Sequence, residues 1–195
     1  KINGEWTPAS AAGGTINSPQ SEAAQTLSAD GQWMIYSANG RKDSYGNYDL
    51  YMAQLTPNGW EDTYHFGSRI NTDQWESQPS LSPDGKDLYF SSRRPGGYGG
   101  IDIYVSRLQP NGYFSAPENL GPAVNTSGDD QCPFIHADNQ TLYFTSNHWP
   151  GYGDDDLFYV RKQPDGSWSQ PVNLGYPINT VDKEGTLFIA ADGKT

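Results

Sequence analysis

Apolar and polar residues alternate along this chain in runs too short for helices. QPSLS (78–82), DLYFSSR (87–93), DIYVSRLQ (102–109) and YFSAPENL (113–120) each follow a period of two, which predicts four strands. The segments between them carry turn chemistry: PDG at 83–85, a Gly-rich RPGGYGG at 94–100 and PNG at 110–112. Pro presets φ in such turns and Gly accepts a positive φ at little cost. Four antiparallel strands then hand over, through GPAVNTSGDD (121–130), to another set of the same kind.

That set recurs. SADGQWMIY (28–36), SPDGKDLYF (82–90) and HADNQTLYF (136–144) are three copies of one strand-turn-strand unit, 54 residues apart. Asn17, Asn71, Asn125 and Asn179 keep the same step, as do the acids Glu22, Glu76, Asp130 and Glu184. The turn aspartates Asp30, Asp84, Asp138 and Asp192 follow it, with Gly13, Gly67, Gly121 and Gly175 and the aromatics Trp6, Trp60, Phe114 and Trp168. Five series in one register describe an array. Four short strands per 54-residue unit, with no helical segment between them, predict an all-β fold, a β-propeller with four-stranded antiparallel blades. A β-solenoid needs shorter coils, and a sandwich does not repeat its turn residues so strictly. The repeats fall at about 14–67, 68–121 and 122–175, with partial strands at 1–13 and 176–195. Trp6 stands in register with Trp60, and the chain stops after the turn at Asp192 and Gly193. Three complete blades plus flanking strands of an incomplete propeller are therefore expected.

Composition narrows the partners. The 22 Gly, 14 Pro, 13 Tyr and 6 Trp suit strands and turns. No apolar stretch approaches the roughly 18 residues of a membrane span, and no charged-then-apolar leader opens the sequence, so a soluble chain without direct membrane insertion is expected. A net charge of -11 repels phosphate backbones, which argues against nucleic acid. The single cysteine, Cys132, excludes an internal disulfide and a Cys-based zinc site.

The combination of SPDG, LYFSS, GGYGGIDIY and ENLGPAVNT, covering nearly the whole chain, resembles the PD40 or TolB-like (WD40-like) propeller repeats. These occur in OmpA-associated and PorE-like type IX secretion envelope proteins of Bacteroidetes. The resemblance implies a protein-binding scaffold in the bacterial periplasm or at the outer membrane, with another envelope protein or a peptide as partner. True WD40 blades run nearer 40–45 residues and end a strand in Trp-Asp, which this chain does not do.

Candidate binding residues are those that propeller topology brings to the loop face. The acids Glu22, Glu76, Asp130 and Glu184 are expected at the channel mouth, with Tyr45, Tyr98 and Tyr152 further out on the Gly-rich loops. An acidic ring with aromatics around it suits a basic or extended peptide, a cation, or a glycan stacked on Tyr faces. A second role competes for the acids, since a feature present in every blade solves a packing problem that every blade has. Carboxylates accepting backbone N–H bonds at the strand starts are that role. Asp49, Asp102 and Asp156, which open the third strands, are expected to be structural. Blade-specific residues are the sharper clues: Arg93 and Arg94 in one blade, His148 and Trp149 in the next, close to Tyr152. The run GYGDDDL (151–157) raises calcium, as hard cations want several oxygens, though EF-hand spacing is absent. No other cofactor is indicated.

Catalysis finds little support. His65, His136 and His148 are the only imidazoles, and no nucleophile motif accompanies them. A non-catalytic scaffold is the leading expectation. A glycan or peptidoglycan-fragment module using Tyr98, Tyr152 and Trp149 is the alternative, and a carbohydrate-active enzyme stands third.

Overall fold

The structure is a computed structural model that describes residues 5–190. It contains three sheets of four antiparallel strands. The first blade is β1 (Glu22–Leu27), β2 (Trp33–Ala38), β3 (Asp49–Thr56) and β4 (Gly59–His65). One turn of helix, α1 (Gly67–Ile70), leads to β5 (Glu76–Leu81), β6 (Asp87–Ser92), β7 (Asp102–Arg107) and β8 (Glu118–Asn119). The third blade is β9 (Asp130–Ile135), β10 (Thr141–Ser146), β11 (Asp156–Arg161) and β12 (Val172–Asn173). Within each sheet the strands lie in chain order, so every connection is a hairpin.

The predicted strands are present with shifted ends. β5 begins two residues before QPSLS, because Glu76 pairs with Ser92. The fourth strands of the second and third blades shrink to two residues. Their hairpins are held further out by isolated pairings, Leu108 with Phe114 and Lys162 with Trp168. Of the flanking segments, residues 5–15 touch the first blade where Gly14 pairs in parallel with Trp60. Gly14 has φ +92, and a Cβ there would lie 1.7 Å from the Trp60 carbonyl oxygen, so only Gly fits. Trp6 is exposed. The turn expected at Asp192 and Gly193 lies outside the described residues.

Alternation assigns the core. Along β6, Leu88 and Phe90 join Ile35, Leu50 and Phe66 of the first blade. Tyr89 between them points the other way, into a cluster with Leu142, Phe144, Phe158 and Val160 of the third. Successive side chains leave a strand on opposite faces, so a middle blade needs an apolar residue at every position. LYF is that run. Burying each such side chain contributes about 1.5–3 kcal/mol.

Side-chain hydrogen bonds and left-handed backbone close the turn after each first strand. In the second blade the Ser82 hydroxyl donates to Asp84 at 2.7 Å and accepts the Asp87 N–H at 2.9 Å, while Gly85 turns through φ +70. In the third blade Asn139 takes the same left-handed position at φ 58, which Asn tolerates better than most residues.

Candidate functional site

The loop between the second and third strands of each blade carries the tyrosine series, and one aspartate fixes it. Asp102 accepts the backbone N–H of Tyr98 at 2.5 Å and of Gly99 at 3.1 Å. Asp49 does the same for Tyr45 and Gly46, at 2.6 and 3.2 Å. Asp156 holds Tyr152 and Gly153. With their loops pinned by the backbone, the three rings are left outside, with Tyr45 53% exposed, Tyr98 51% and Tyr152 58%.

Each loop is also stitched to the following blade. Gly100 N–H donates to the Gly128 carbonyl at 3.0 Å, and Asp130 N–H to the Ile101 carbonyl at 2.8 Å. The first blade repeats this with Asn47 to Gln74 and Glu76 to Tyr48, at 2.7 and 2.9 Å. A Cβ on Gly99 would stand 2.0 Å from the Gly128 oxygen, so the approach needs a residue without a side chain. The asparagine series completes the scaffold. Asn125 donates from Nδ2 to the Ile103 carbonyl at 2.9 Å and accepts the Ile103 N–H on Oδ1 at 2.8 Å. Asn71 and Asn179 clamp Leu50 and Leu157 in the same way.

The acid series is turned inward. Glu76 and Asp130 have no exposed surface. Glu76 accepts from the Thr72 N–H at 2.7 Å, the Thr72 hydroxyl at 2.8 Å and the Ser92 hydroxyl at 2.7 Å. Glu22 and Glu184 meet the hydroxyls of Ser18 and Thr180, both at 2.6 Å. Strand-start bonding therefore engages at least one oxygen of each carboxylate, and Glu76 and Asp130 are buried rather than open to the channel mouth. The cause is the Ser/Thr four residues earlier in each repeat, which reaches the carboxylate before solvent does.

Arg94 also turns inward. Its guanidinium donates to the Ile70 carbonyl at 2.6 Å, lies 3.5 Å from Glu76 and stacks over the Tyr104 ring at 4.7 Å. Burial lowers its pKa, and Glu76 opposes that fall. Arg41 makes the matching bond to the Ile16 carbonyl at 2.7 Å, and Trp149 makes it from its indole N–H to the Val124 carbonyl at 3.0 Å. Arg94 and Trp149 are thus two versions of one inter-element strut. Arg93 is exposed, over the Trp75 ring at 5.6 Å, and His148 is exposed beside Ser127 at 3.3 Å.

Replacing Arg by Trp has an electrostatic consequence. Asp130 has no guanidinium beside it, and its Oδ1 is buried without a hydrogen-bond partner. Burial pushes its pKa above the ordinary value, against the bonds from Ser146 and Thr126.

The calcium reading meets carboxylates already engaged. Asp156 holds its loop and Asn173, and Asp155 pairs with Lys183 at 2.5 Å. Among the described residues no three His, Cys, Asp or Glu side chains converge as metal ligands. His65 stands where Asn119 and Asn173 do in the later blades. It meets Asp49 at 3.0 Å and Asn71 at 2.8 Å, so it belongs to the loop scaffold.

The first strands converge along an inner cleft of about 660 Å³, lined by Gln78–Leu81, Cys132–Ile135 and their counterparts in β1 and residues 186–189. Gln78 and Cys132 sit one period apart at bulges, at φ 53 and 55, and the Gln78 side chain accepts the Cys132 N–H at 3.0 Å. The period alone did not reveal this bulge, because Ala24, Gln78 and Cys132 share no chemistry.

No family model and no curated protein matches the sequence. Solved structures do resemble the fold. TolB from Acinetobacter baumannii superposes with a TM-score of 0.59 at 18% identity, over 92% of this chain and 37% of that one. A TolB-type protein from Agrobacterium tumefaciens gives 0.52 at 20% identity, over 92% and 57%. An alpha-L-arabinofuranosidase from Lactobacillus brevis gives 0.54 at 14%, over 85% and 60%. The chain thus spans about a third to three fifths of the length of these proteins. Strand order, blade packing and these likenesses together give the chain a β-propeller fold, similar to the propellers of these proteins.

Proposed function

We propose that this chain is the propeller part of a bacterial cell-envelope protein, periplasmic or outer-membrane-associated, and that it binds another protein without catalysing a reaction. One observation carries the reading. Tyr45, Tyr98 and Tyr152 are each about half exposed on loops whose backbone amides are already fixed by Asp49, Asp102 and Asp156. Aromatic rings with few rotatable bonds, on loops ordered before contact, lose little entropy on association. Arg93 and His148, exposed on the same loops, add charge and hydrogen bonding to this face. The carboxylates that could have served acid–base chemistry at the channel mouth are tied to backbone and hydroxyl donors instead.

The placement in the envelope rests on the repeat motifs and on the TolB-like fold. The test is retention of envelope proteins on immobilised chain, compared with a variant carrying Tyr→Ser at 45, 98 and 152. A defined protein held by the parent and lost from the variant is the expected result. Equal recovery on both surfaces would exclude the loop face. Retention of peptidoglycan fragments by the parent alone would replace a protein partner with a glycan.

A further inference from the structure

At the outer rim between the first two blades lies a cleft of about 280 Å³ whose walls come from both. Tyr64 of β4 and Tyr113 of the hairpin before β8 stand with ring centroids 6.4 Å apart, their planes inclined by 49°. Phe66 and Phe114 form the floor, 5.8 Å apart and edge to face, and Tyr64 rests edge-on against Phe66 at 5.3 Å. Asn111 and Arg69 complete the rim. Arg69 is exposed in the single turn of α1, and among the described residues it has no ion-pair partner.

Propeller architecture does not require these residues. One period later Glu118, Ala123 and Ser167 occupy the positions of Tyr64, Arg69 and Tyr113, and that junction still buries a continuous apolar cluster. Among the described residues the aromatic pair and the unpaired cation exist at one junction only, and both tyrosines remain solvent-accessible, at 38% and 56%.

We propose that this cleft binds a pyranose ring carrying a single carboxylate. Its volume, at the small end of ligand pockets that begin at roughly 300 Å³, suits a single ring. The exposed rings of Tyr64 and Tyr113, backed by Phe66 and Phe114, cover the apolar C–H face of a sugar. The two phenol hydroxyls, the Asn111 amide and the guanidinium supply the rim that its hydroxyl groups need. An apolar side chain from a peptide would leave that rim unmatched. Arg69 supplies the planar fork for a carboxylate. One anionic group is favoured over a polyanion, because the net charge of -11 repels distributed negative charge over a Debye length. The cleft shares no lining residue with the tyrosine loops, so this site stands or falls independently of the loop-face reading.

Amide-resolved NMR titration of the full chain with methyl glucuronide, and separately with methyl glucoside, tests the assignment. Saturable shifts at residues 64–69 and 111–114 are expected with the glucuronide. Arg69→Gln should weaken them about tenfold, toward the response to the glucoside. Tyr113→Ala should abolish them with an unchanged thermal midpoint, while Tyr98→Ala should leave them intact. Absence of saturable shifts with either sugar, shifts elsewhere on the chain, or equal binding by the Arg69→Gln protein would overturn the proposal. Tighter binding there by a short peptide ending in Phe would overturn it as well.

Discussion

Asn125 closes both backbone groups of Ile103 with one side chain, accepting its N–H at 2.8 Å and donating to its carbonyl at 2.9 Å. The asparagine belongs to the inter-blade connection and the isoleucine to a central strand, so the pair locks the path of the chain between two blades. Asn125→Ala leaves the buried Ile103 N–H unpaired, at about 1–3 kcal/mol, while the Ile103 carbonyl keeps the Leu120 N–H at 3.1 Å. A loss of about 1–3 kcal/mol is expected in urea denaturation, with an unchanged dependence on denaturant concentration.

Gly99 lets the tyrosine loop reach the next blade. Its α-carbon faces the Gly128 and Thr126 carbonyls, which an added methyl would approach to 2.0 and 2.6 Å. Gly99→Ala should cost about 1–3 kcal/mol by forcing the two backbones apart. Lowered hydrogen-exchange protection at Gly100 and Asp130, whose N–H groups make the stitch, is the accompanying sign.

Asp130 gives the pH dependence a definite sign. Its folded pKa lies above the ordinary 3.8, because burial disfavours the charge. Such a group favours the folded state below its unfolded pKa, and that contribution is lost as pH rises through the folded pKa. At neutral pH the ionised carboxylate therefore weakens the fold. Asp130→Asn should be more stable than the parent at pH 7, and the gain should vanish as the pH falls below 4. Parallel melts across that range measure it.

Trp149→Arg restores the strut of the other blades. A guanidinium at that position would sit near Asp130 as Arg94 sits 3.5 Å from Glu76. The Asp130 carboxyl should then titrate lower than in the parent, visible in carbon-detected NMR of its side chain. An unmoved titration would show that the Trp and Arg struts are not equivalent.

Asp138 behaves in the opposite sense. Burial would raise its pKa, but bonds from the Thr141 hydroxyl and from the Gln140 and Thr141 N–H groups outweigh it and hold the carboxyl at about 2. Stability from this turn is complete above the unfolded value of 3.8 and is lost as pH falls toward 2. Asp138→Ala should remove that acid-side slope in the same melts.

The alternating runs and turn residues made the strands legible because both act within a few residues. Gly85 and Asn139 turn where SPDG and HADN place them, and LYF is buried on both sides as a central strand must be. The roles of the candidate residues were less legible. Arg93 and Arg94 look alike in sequence, yet one is exposed and the other is a buried strut. Arg41 and Trp149 stand two 54-residue periods apart, whereas Arg94 falls one residue short of that register, which hides its equivalence to them. The Tyr64–Tyr113 cleft was invisible for a related reason, as its walls lie 49 residues apart and follow no period.

The sequence by itself determined the number of strands per blade, the turns between them and the 54-residue step, since hydrophobic alternation and turn stereochemistry are local properties of the chain. Only the tertiary structure decided which repeated side chains are consumed in holding blades together and which reach solvent. That choice depends on whether a donor from a neighbouring segment arrives within about 3 Å of each polar atom, a distance set by blade packing and loop path.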